Sequence, residues 1–311
     1  MDRIKSWLST TPYGDFEITI ASADASFRKY YRLTKNSETF LLMDSSLEKD
    51  SIKPFLDVTS RLLAVNAKAP QILEQNLEDG FLILEDFGST HYLDVLEYDN
   101  FKELYKNAID EIVKMQEADS SNLPKYDKEF LTFEMDLMKE WYIYKLLPAT
   151  LSTSQDEVLT NAIDIISDIV LTQPQDIFVH RDYHSRNIMI TPENEVGIID
   201  YQDAMSGGIT YDLASLLEDS YIEFEKEDMQ ELILYFRDKK ELDVDDETFI
   251  KWFDFTSMQR HIKVLGIFAR LYKRDGKKGY LKDIPLTLKY LFDTSKLYEE
   301  TQALHQLLRE L

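Results

Sequence analysis

Phe178-Val-His-Arg-Asp-Tyr-His-Ser-Arg-Asn-Ile-Met-Ile190, followed by Val196-Gly-Ile-Ile-Asp-Tyr-Gln-Asp203, is the stretch whose reading decides the fold. Short apolar, β-branched runs alternate with polar and turn residues, which predicts strand, loop, strand, turn (Thr191 to Glu195), strand and then an acidic loop. Asp182 and Asn187 lie five residues apart on the first loop, and Asp200 stands where the last strand ends. Two carboxylates and an amide are therefore expected to converge.

That set suits phosphoryl transfer, which needs the acceptor hydroxyl oriented and the phosphate charge neutralised by Mg2+. Asp182 is the expected base, and Asn187 and Asp200 the expected metal ligands, with Asp203 a further metal ligand or a helix cap. The residues match the H-R-D-x-x-x-x-N loop of kinases, although Asp200 is followed by Tyr-Gln-Asp and not Phe-Gly. A zinc site is the rival, because His180 and His184 are four apart. A zincin helix needs Glu directly after the first His, and Arg181 stands there instead.

Composition sets the outer bounds. The chain has 311 residues, 44% hydrophobic and 30% charged, enough for two lobes of a globular protein. The absence of cysteine excludes disulfide and thiolate-metal scaffolds and agrees with a reducing compartment. No apolar run is long enough to span a membrane and the N-terminal residues lack a signal-peptide core, so the expected location is cytoplasmic. A net charge of -23 opposes nucleic-acid or anionic-membrane partners, and obliges any nucleotide site to supply local cations.

Along the chain, residues 1 to 10 read as a short helix and Phe16 to Ile20 as a strand. Tyr30 to Leu33 and Thr39 to Met43 read as a hairpin across Lys35 to Glu38, followed by a helix from Ser51 to Asn66. A further hairpin ends in Gly80 to Glu85. The fold class expected is α+β, bilobal and kinase-like, with a β-rich N-lobe over 1 to 88 and a helical C-lobe over 89 to 311. Leu84-Glu-Asp-Phe-Gly88 is the expected hinge, with Glu85 and Phe87 on the nucleotide side. Helices are expected over 101 to 117, 130 to 147, 157 to 171, 211 to 221, 226 to 238, 247 to 273 and from 286 onward.

Two departures from a protein kinase stand out. The loop Ser22-Ala-Asp-Ala-Ser-Phe27, expected to cover the phosphates, has no glycine, and the strand Phe40-Leu-Leu-Met-Asp44 has no lysine. Arg28, Lys29 and Arg32 are the nearby cations, Arg32 foremost. Asp212 is expected to pin the catalytic loop from a first helical turn. Glu218, Asp219 and Tyr221 are candidates for sugar hydroxyls. Arg260, with Arg186 as second choice, is the candidate for an acceptor carboxylate, because arginine matches a carboxylate bidentately.

Ala25 to Arg32, Phe81 to Gly88, Val179 to Asn187, Asp200-Tyr-Gln-Asp-Ala204, Thr210 to Leu217 and Gln259-Arg-His-Ile-Lys-Val-Leu-Gly-Ile-Phe-Ala-Arg270 together resemble the aminoglycoside phosphotransferase-like small-molecule kinases. Within them the likeness is to the bacterial anomeric N-acetylmuramate/N-acetylglucosamine kinases. The resemblance implies ATP-dependent phosphorylation of the anomeric C1 hydroxyl of N-acetylmuramate and N-acetylglucosamine in cell-wall recycling; Mg2+ is expected from the carboxylates above, and a monomer is the working expectation for a state that the sequence leaves open. Rival expectations are a kinase for another hydroxylated metabolite, such as an aminoglycoside, and a nucleotide-binding regulator without transferase activity.

Overall fold

A computed structural model describes residues 1–22 and 28–311. In chain order it forms α1 (Asp2–Leu8), β1 (Glu17–Ser22), β2 (Lys29–Lys35), β3 (Glu38–Asp44), α2 (Ile52–Ala64), β4 (Ile72–Asn76) and β5 (Phe81–Glu85). Next come α3 (Tyr92–Val95), α4 (Phe101–Met115), α5 (Lys128–Leu137), a π-helical stretch (Met138–Leu146) and α6 (Thr153–Val170). Four short strands follow: β6 (Ile177–Val179), β7 (Ile188–Ile190), β8 (Val196–Ile198) and β9 (Met205–Gly207). The chain closes with α7 (Tyr211–Leu217), α8 (Lys226–Lys239), α9 (Asp246–Lys273), α10 (Ile284–Ser295) and α11 (Gln302–Glu310). These elements divide between two compact units, Met1–His91 with Asn187–Asp203, and Tyr92–Arg186 with Ala204–Leu311. Asp182 thus belongs to the second unit, and Asn187, Asp200 and Asp203 to the first.

The first unit is built on an antiparallel sheet of order β1-β2-β3-β5-β4. Alternation along the strands puts Leu33, Leu42, Phe81 and Ile83 in one core with Ile4 and Leu8 of α1. The β2–β3 register runs from Lys29↔Asp44 to Lys35↔Glu38 across a turn where Asn36 takes φ 55°, a conformation asparagine tolerates. Helix α2 presents Phe55 and Thr59 to Tyr201. The two rings stack at 5.2 Å and Thr59 Oγ1 lies 2.8 Å from the Tyr201 hydroxyl.

The β7–β8 hairpin is tied into the same unit by backbone bonds from Ile198 N–H to the Lys68 carbonyl (2.9 Å) and from Ile190 N–H to the Thr90 carbonyl (3.0 Å). Gly197 is required there. A Cβ on it would lie 2.6 Å from the ring of Phe87, closer than packed atoms sit.

In the second unit the 28-residue α9 carries sixteen buried residues and shares one core with α5, α6, α10 and α11. Gly266 brings its backbone against the junction of α5 with the π-helical stretch, where a Cβ would lie 2.3 Å from the Leu137 carbonyl carbon. Helix α6 starts with a capping box between Ser152 and Gln155, four residues before the helix expected from apolar spacing alone. The helix expected over 130 to 147 becomes α helix followed by π helix, and the one expected from 286 onward is broken into α10 and α11. Strand β9, not foreseen, pairs with β6 and brings Ser206 N–H to the Pro124 carbonyl at 2.9 Å. Among the described residues no helix is long and apolar enough to cross a membrane.

Candidate active site

In the second unit the loop after β6 is held at both ends by buried acids. Asp212, in the first turn of α7 and wholly buried, accepts the His180 N–H at 2.8 Å and the Arg181 N–H at 3.0 Å. Its assignment as the pin of this loop holds, and burial pushes its carboxyl up against the opposing pull of His180. Asp219, just beyond α7, accepts the Ser185 N–H at 2.9 Å, the Ser185 hydroxyl, and the Tyr221 N–H at 3.0 Å. It anchors the loop from its far end and, at 1% exposure, is buried rather than on a solvated helix face.

Between these anchors Arg181 adopts φ 80°, a left-handed conformation that costs a non-glycine residue about 1–2 kcal/mol. The surroundings over-determine it. Its Nη2 donates to Glu134 Oε1 at 2.6 Å, and its guanidinium faces the rings of Phe130 and Tyr126 at 5.4 and 5.8 Å. Glu134 in turn accepts from the Tyr126 hydroxyl and pairs with Lys263 Nζ at 3.4 Å, and Lys263 also donates to the Tyr211 hydroxyl at 3.1 Å. Glu134, Lys263, Tyr126 and Tyr211 are all at most 5% exposed, so these charges interact with little screening from water.

Asp182 follows Arg181 directly and its N–H donates to His180 Nδ1 at 3.3 Å. Burial works to raise its carboxyl, but Lys263, His184, Arg181 and Arg260 together hold it well below the usual carboxylate range. It stands ready to accept a hydrogen bond, and its proton affinity must rise in the reaction itself before it keeps a proton.

The acceptor candidates divide into two groups. Arg186 lies 3.5 Å over the face of Tyr221 and 3.8 Å from Asp283, while His184 meets the same tyrosine edge-on at 5.2 Å. Glu218 faces another way, accepting from the Ser257 hydroxyl, with its carbonyl taking a hydrogen bond from His261 Nε2 at 3.1 Å. Burial and the nearby Asp254 push its carboxyl up to about 8, and burial lowers His261 to about 3. Arg260, on α9, is 5% exposed and lies over Tyr211 at 5.4 Å.

In the first unit Asp200 also takes a left-handed conformation, φ 64°, but it is exposed. Asn187 Nδ2 lies 3.4 Å from Asp200 Oδ2, and Gln202 Nε2 lies 2.9 Å from Asp200 Oδ1 and 3.5 Å from Asp203 Oδ2. The structure thus brings Asn187, Asp200 and Asp203 together. Among the described residues no three acidic or histidine side chains form a ready-made metal cage.

The cations expected at the phosphates are placed unevenly. Arg32 forms a two-pronged pair with Asp86 at 2.6 and 3.0 Å and donates to the Gly88 carbonyl at 2.7 Å, so it clamps residues 86 to 88. Arg28 is buried, donates to the Ser51 hydroxyl and carbonyl and faces Phe55. Lys29 is exposed at the start of β2. Glu85 pairs with Lys68 at 2.9 Å, and the Phe87 side chain is 2% exposed, packed on Gly197. The loop expected over the phosphates, residues 23 to 27, lies outside the described residues.

Residues 17–245 match the model of a family described as a phosphotransferase enzyme family. The chain belongs to that family. It is an enzyme that transfers phosphoryl groups. It is 39% identical over 321 residues to an N-acetylmuramate/N-acetylglucosamine kinase of Neisseria meningitidis, covering 99% of this chain and 95% of that one. A protein of the same description from Pseudomonas aeruginosa is 35% identical, covering 95% and 88%. The fold matches the ADP-bound crystal structure of aminoglycoside phosphotransferase APH(2'')-Ib with TM-score 0.65 at 16% identity, covering 98% of each chain. It also matches a choline/ethanolamine kinase family protein from Mesorhizobium loti with TM-score 0.65 at 11% identity, covering 100% and 99%. The kinase-like, bilobal class expected from sequence is the aminoglycoside phosphotransferase and choline kinase fold.

Sequence reasoning missed the buried support of Arg181. The signal was present, since Glu134 sits between Leu131 and Met135 and Lys263 between Ile262 and Leu265, charges set into apolar helix faces.

Proposed function

We propose that this phosphotransferase moves the γ-phosphoryl group of ATP to the anomeric C1 hydroxyl of N-acetylmuramate and N-acetylglucosamine, as a cytoplasmic monomer serving reuse of cell-wall sugars. The observation that supports it most is the tethered loop that holds Asp182 ionised, in a chain 35–39% identical over nearly its whole length to kinases named for these sugars. Asp182 accepts the C1 hydroxyl proton as that oxygen bonds to the γ-phosphorus. The bond from the γ-phosphorus to the β–γ bridging oxygen breaks, and ADP leaves with the electron pair.

Asn187, Asp200 and Asp203 fit a Mg2+ ion, which is commonly held by one or two carboxylates with substrate phosphates completing its shell. Such an ion would neutralise charge on the β- and γ-oxygens. The backbone of residues 84 to 88, fixed by the Arg32–Asp86 pair, would read the adenine edge. Lys29 is then the exposed cation of the three for the phosphates, with Arg28 and Arg32 supporting the strand and hinge.

ADP release measured against N-acetylmuramate, N-acetylglucosamine, glucose, choline and kanamycin tests the assignment. Turnover confined to the two amino sugars is expected. Preferential turnover of choline or kanamycin overturns it.

A further inference from the structure

Arg260 is a buried cation that, among the described residues, is hydrogen-bonded to no acid, although Asp182, Asp212 and Glu218 feel its charge from further off. It is 5% exposed, its Nε is buried with no hydrogen-bond partner, and among the described residues it forms no ion pair. Its guanidinium lies over the face of Tyr211 at 5.4 Å. Arginine keeps its charge in proteins, and a buried charge left unpaired is costly. The other partly or fully buried arginines near functional loops are provided for: Arg181 by Glu134, Arg32 by Asp86, Arg28 by Ser51. Arg186, the second choice for an acidic substituent, has the Tyr221 ring and Asp283. Arg270 also keeps a buried Nε without a partner but is only half-buried, which leaves Arg260 as the fully buried guanidinium that forms no ion pair among the described residues.

Its ring partner Tyr211 adjoins Asp212, which holds the His180 and Arg181 N–H groups of the loop proposed to face the acceptor. The charge of Arg260 acts on Asp182, His184 and Asp212. His184 has a second buried atom lacking a partner, Nδ1. Buried polar atoms without partners are rare enough in folded proteins that each calls for an explanation, and an unbound polar ligand is one. The ligand must be anionic to suit a guanidinium. Asp182, Asp212 and Asp219 all oppose an anion here, as does the net charge of -23, so a carboxylate-bearing acceptor needs a dedicated cation.

We propose that Arg260 reads the carboxylate of the lactyl ether that N-acetylmuramate carries and N-acetylglucosamine lacks, and so sets the preference between the two sugars. The proposal rests on the sugar-kinase reading above. With N-acetylglucosamine bound the guanidinium stays without its anion, and a site built for a polar group discriminates against a ligand lacking it.

The test measures kcat/KM on both sugars for the native enzyme and for Arg260→Gln, and adds the methyl ester of N-acetylmuramate as a neutral probe. Replacing arginine is expected to lower the ratio of N-acetylmuramate to N-acetylglucosamine by about tenfold to a hundredfold, the worth of a charge-assisted pair. The native enzyme should lose a similar factor on the ester, and the variant should not distinguish ester from acid. Equal losses on both sugars overturn the proposal, because support of the transferred phosphoryl group or of the fold would act on both alike. So does an ester that the native enzyme turns over as well as the acid, a result independent of whether the variant folds. Native enzyme inactive on both sugars removes the sugar-kinase reading itself, whereas activity on both with an unchanged ratio removes this inference alone.

Discussion

Asp182 and Asp200 are acids of similar sequence surroundings held in opposite ways. Asp182 follows a left-handed residue whose side chain is gripped by Glu134, and its loop hangs from the buried Asp212 and Asp219. Asp200 is itself left-handed, is exposed, and has amides for neighbours, Asn187 and Gln202. The second unit fixes its proposed base through its own contacts, with a strained residue and several buried charges. The first unit leaves its carboxylates in water. That suits groups proposed to bind a hydrated cation and release it with product, whereas a base misplaced by 1 Å loses much of its value.

The contrast predicts that substitutions in the two regions fail differently. Asp200→Ala should produce the larger functional loss, weakening Mg2+-dependent nucleotide binding by at least about a hundredfold, as expected when a ligand carboxylate and its charge are removed. It should leave stability within about 0.5 kcal/mol, as exposed substitutions do. Calorimetric titration with Mg·ATP beside a denaturant melt checks both, and a large loss of stability would erase the distinction.

Asp212→Ala should do the reverse. It leaves the His180 and Arg181 N–H groups without acceptors, at about 1–3 kcal/mol each, so urea unfolding should show a loss of about 2–6 kcal/mol while nucleotide affinity changes little. Unchanged stability would mean that the loop is not hung from this acid.

The smallest effect concerns Glu218. Its carboxyl, pushed up to about 8, is protonated in the folded chain where an unfolded glutamate is ionised. The stability this contributes is fully present below the unfolded value and is lost as pH rises through 8, at about 1 kcal/mol per pH unit. Melting curves at pH 7 and pH 8 should separate the parent by roughly that amount and Glu218→Gln by less. A parallel fall in both would assign the slope to other groups.

Much of this was legible because it is local. Alternation in 30–33, 39–43 and 81–85 marked the sheet, and spacing singled out Asp182, Asn187 and Asp200 as candidates. Asp212 was placed correctly because an acid in a first helical turn has a physical role near at hand. What stayed hidden depends on distant partners. Nothing around Arg32 reveals that Asp86, 54 residues away, takes its guanidinium. Strand β9 is three residues long and exists through pairing with β6. The change from α to π hydrogen bonding after Leu137 leaves the apolar pattern helical, and Gly266, which lies against that junction, belongs to another helix. The Glu134–Lys263 pair was visible as misplaced charge but not as a pair, because its members lie 129 residues apart.

The central claim is that the tethered Asp182 is the base for transfer to the sugar. Single-turnover transfer from ATP to N-acetylmuramate by Asp182→Asn, with nucleotide affinity measured on the same sample, tests it most directly. The account predicts native affinity and a rate lower by about 100- to 10,000-fold, the usual worth of a positioned base. A rate within a few-fold of the parent's, at native affinity, would contradict it.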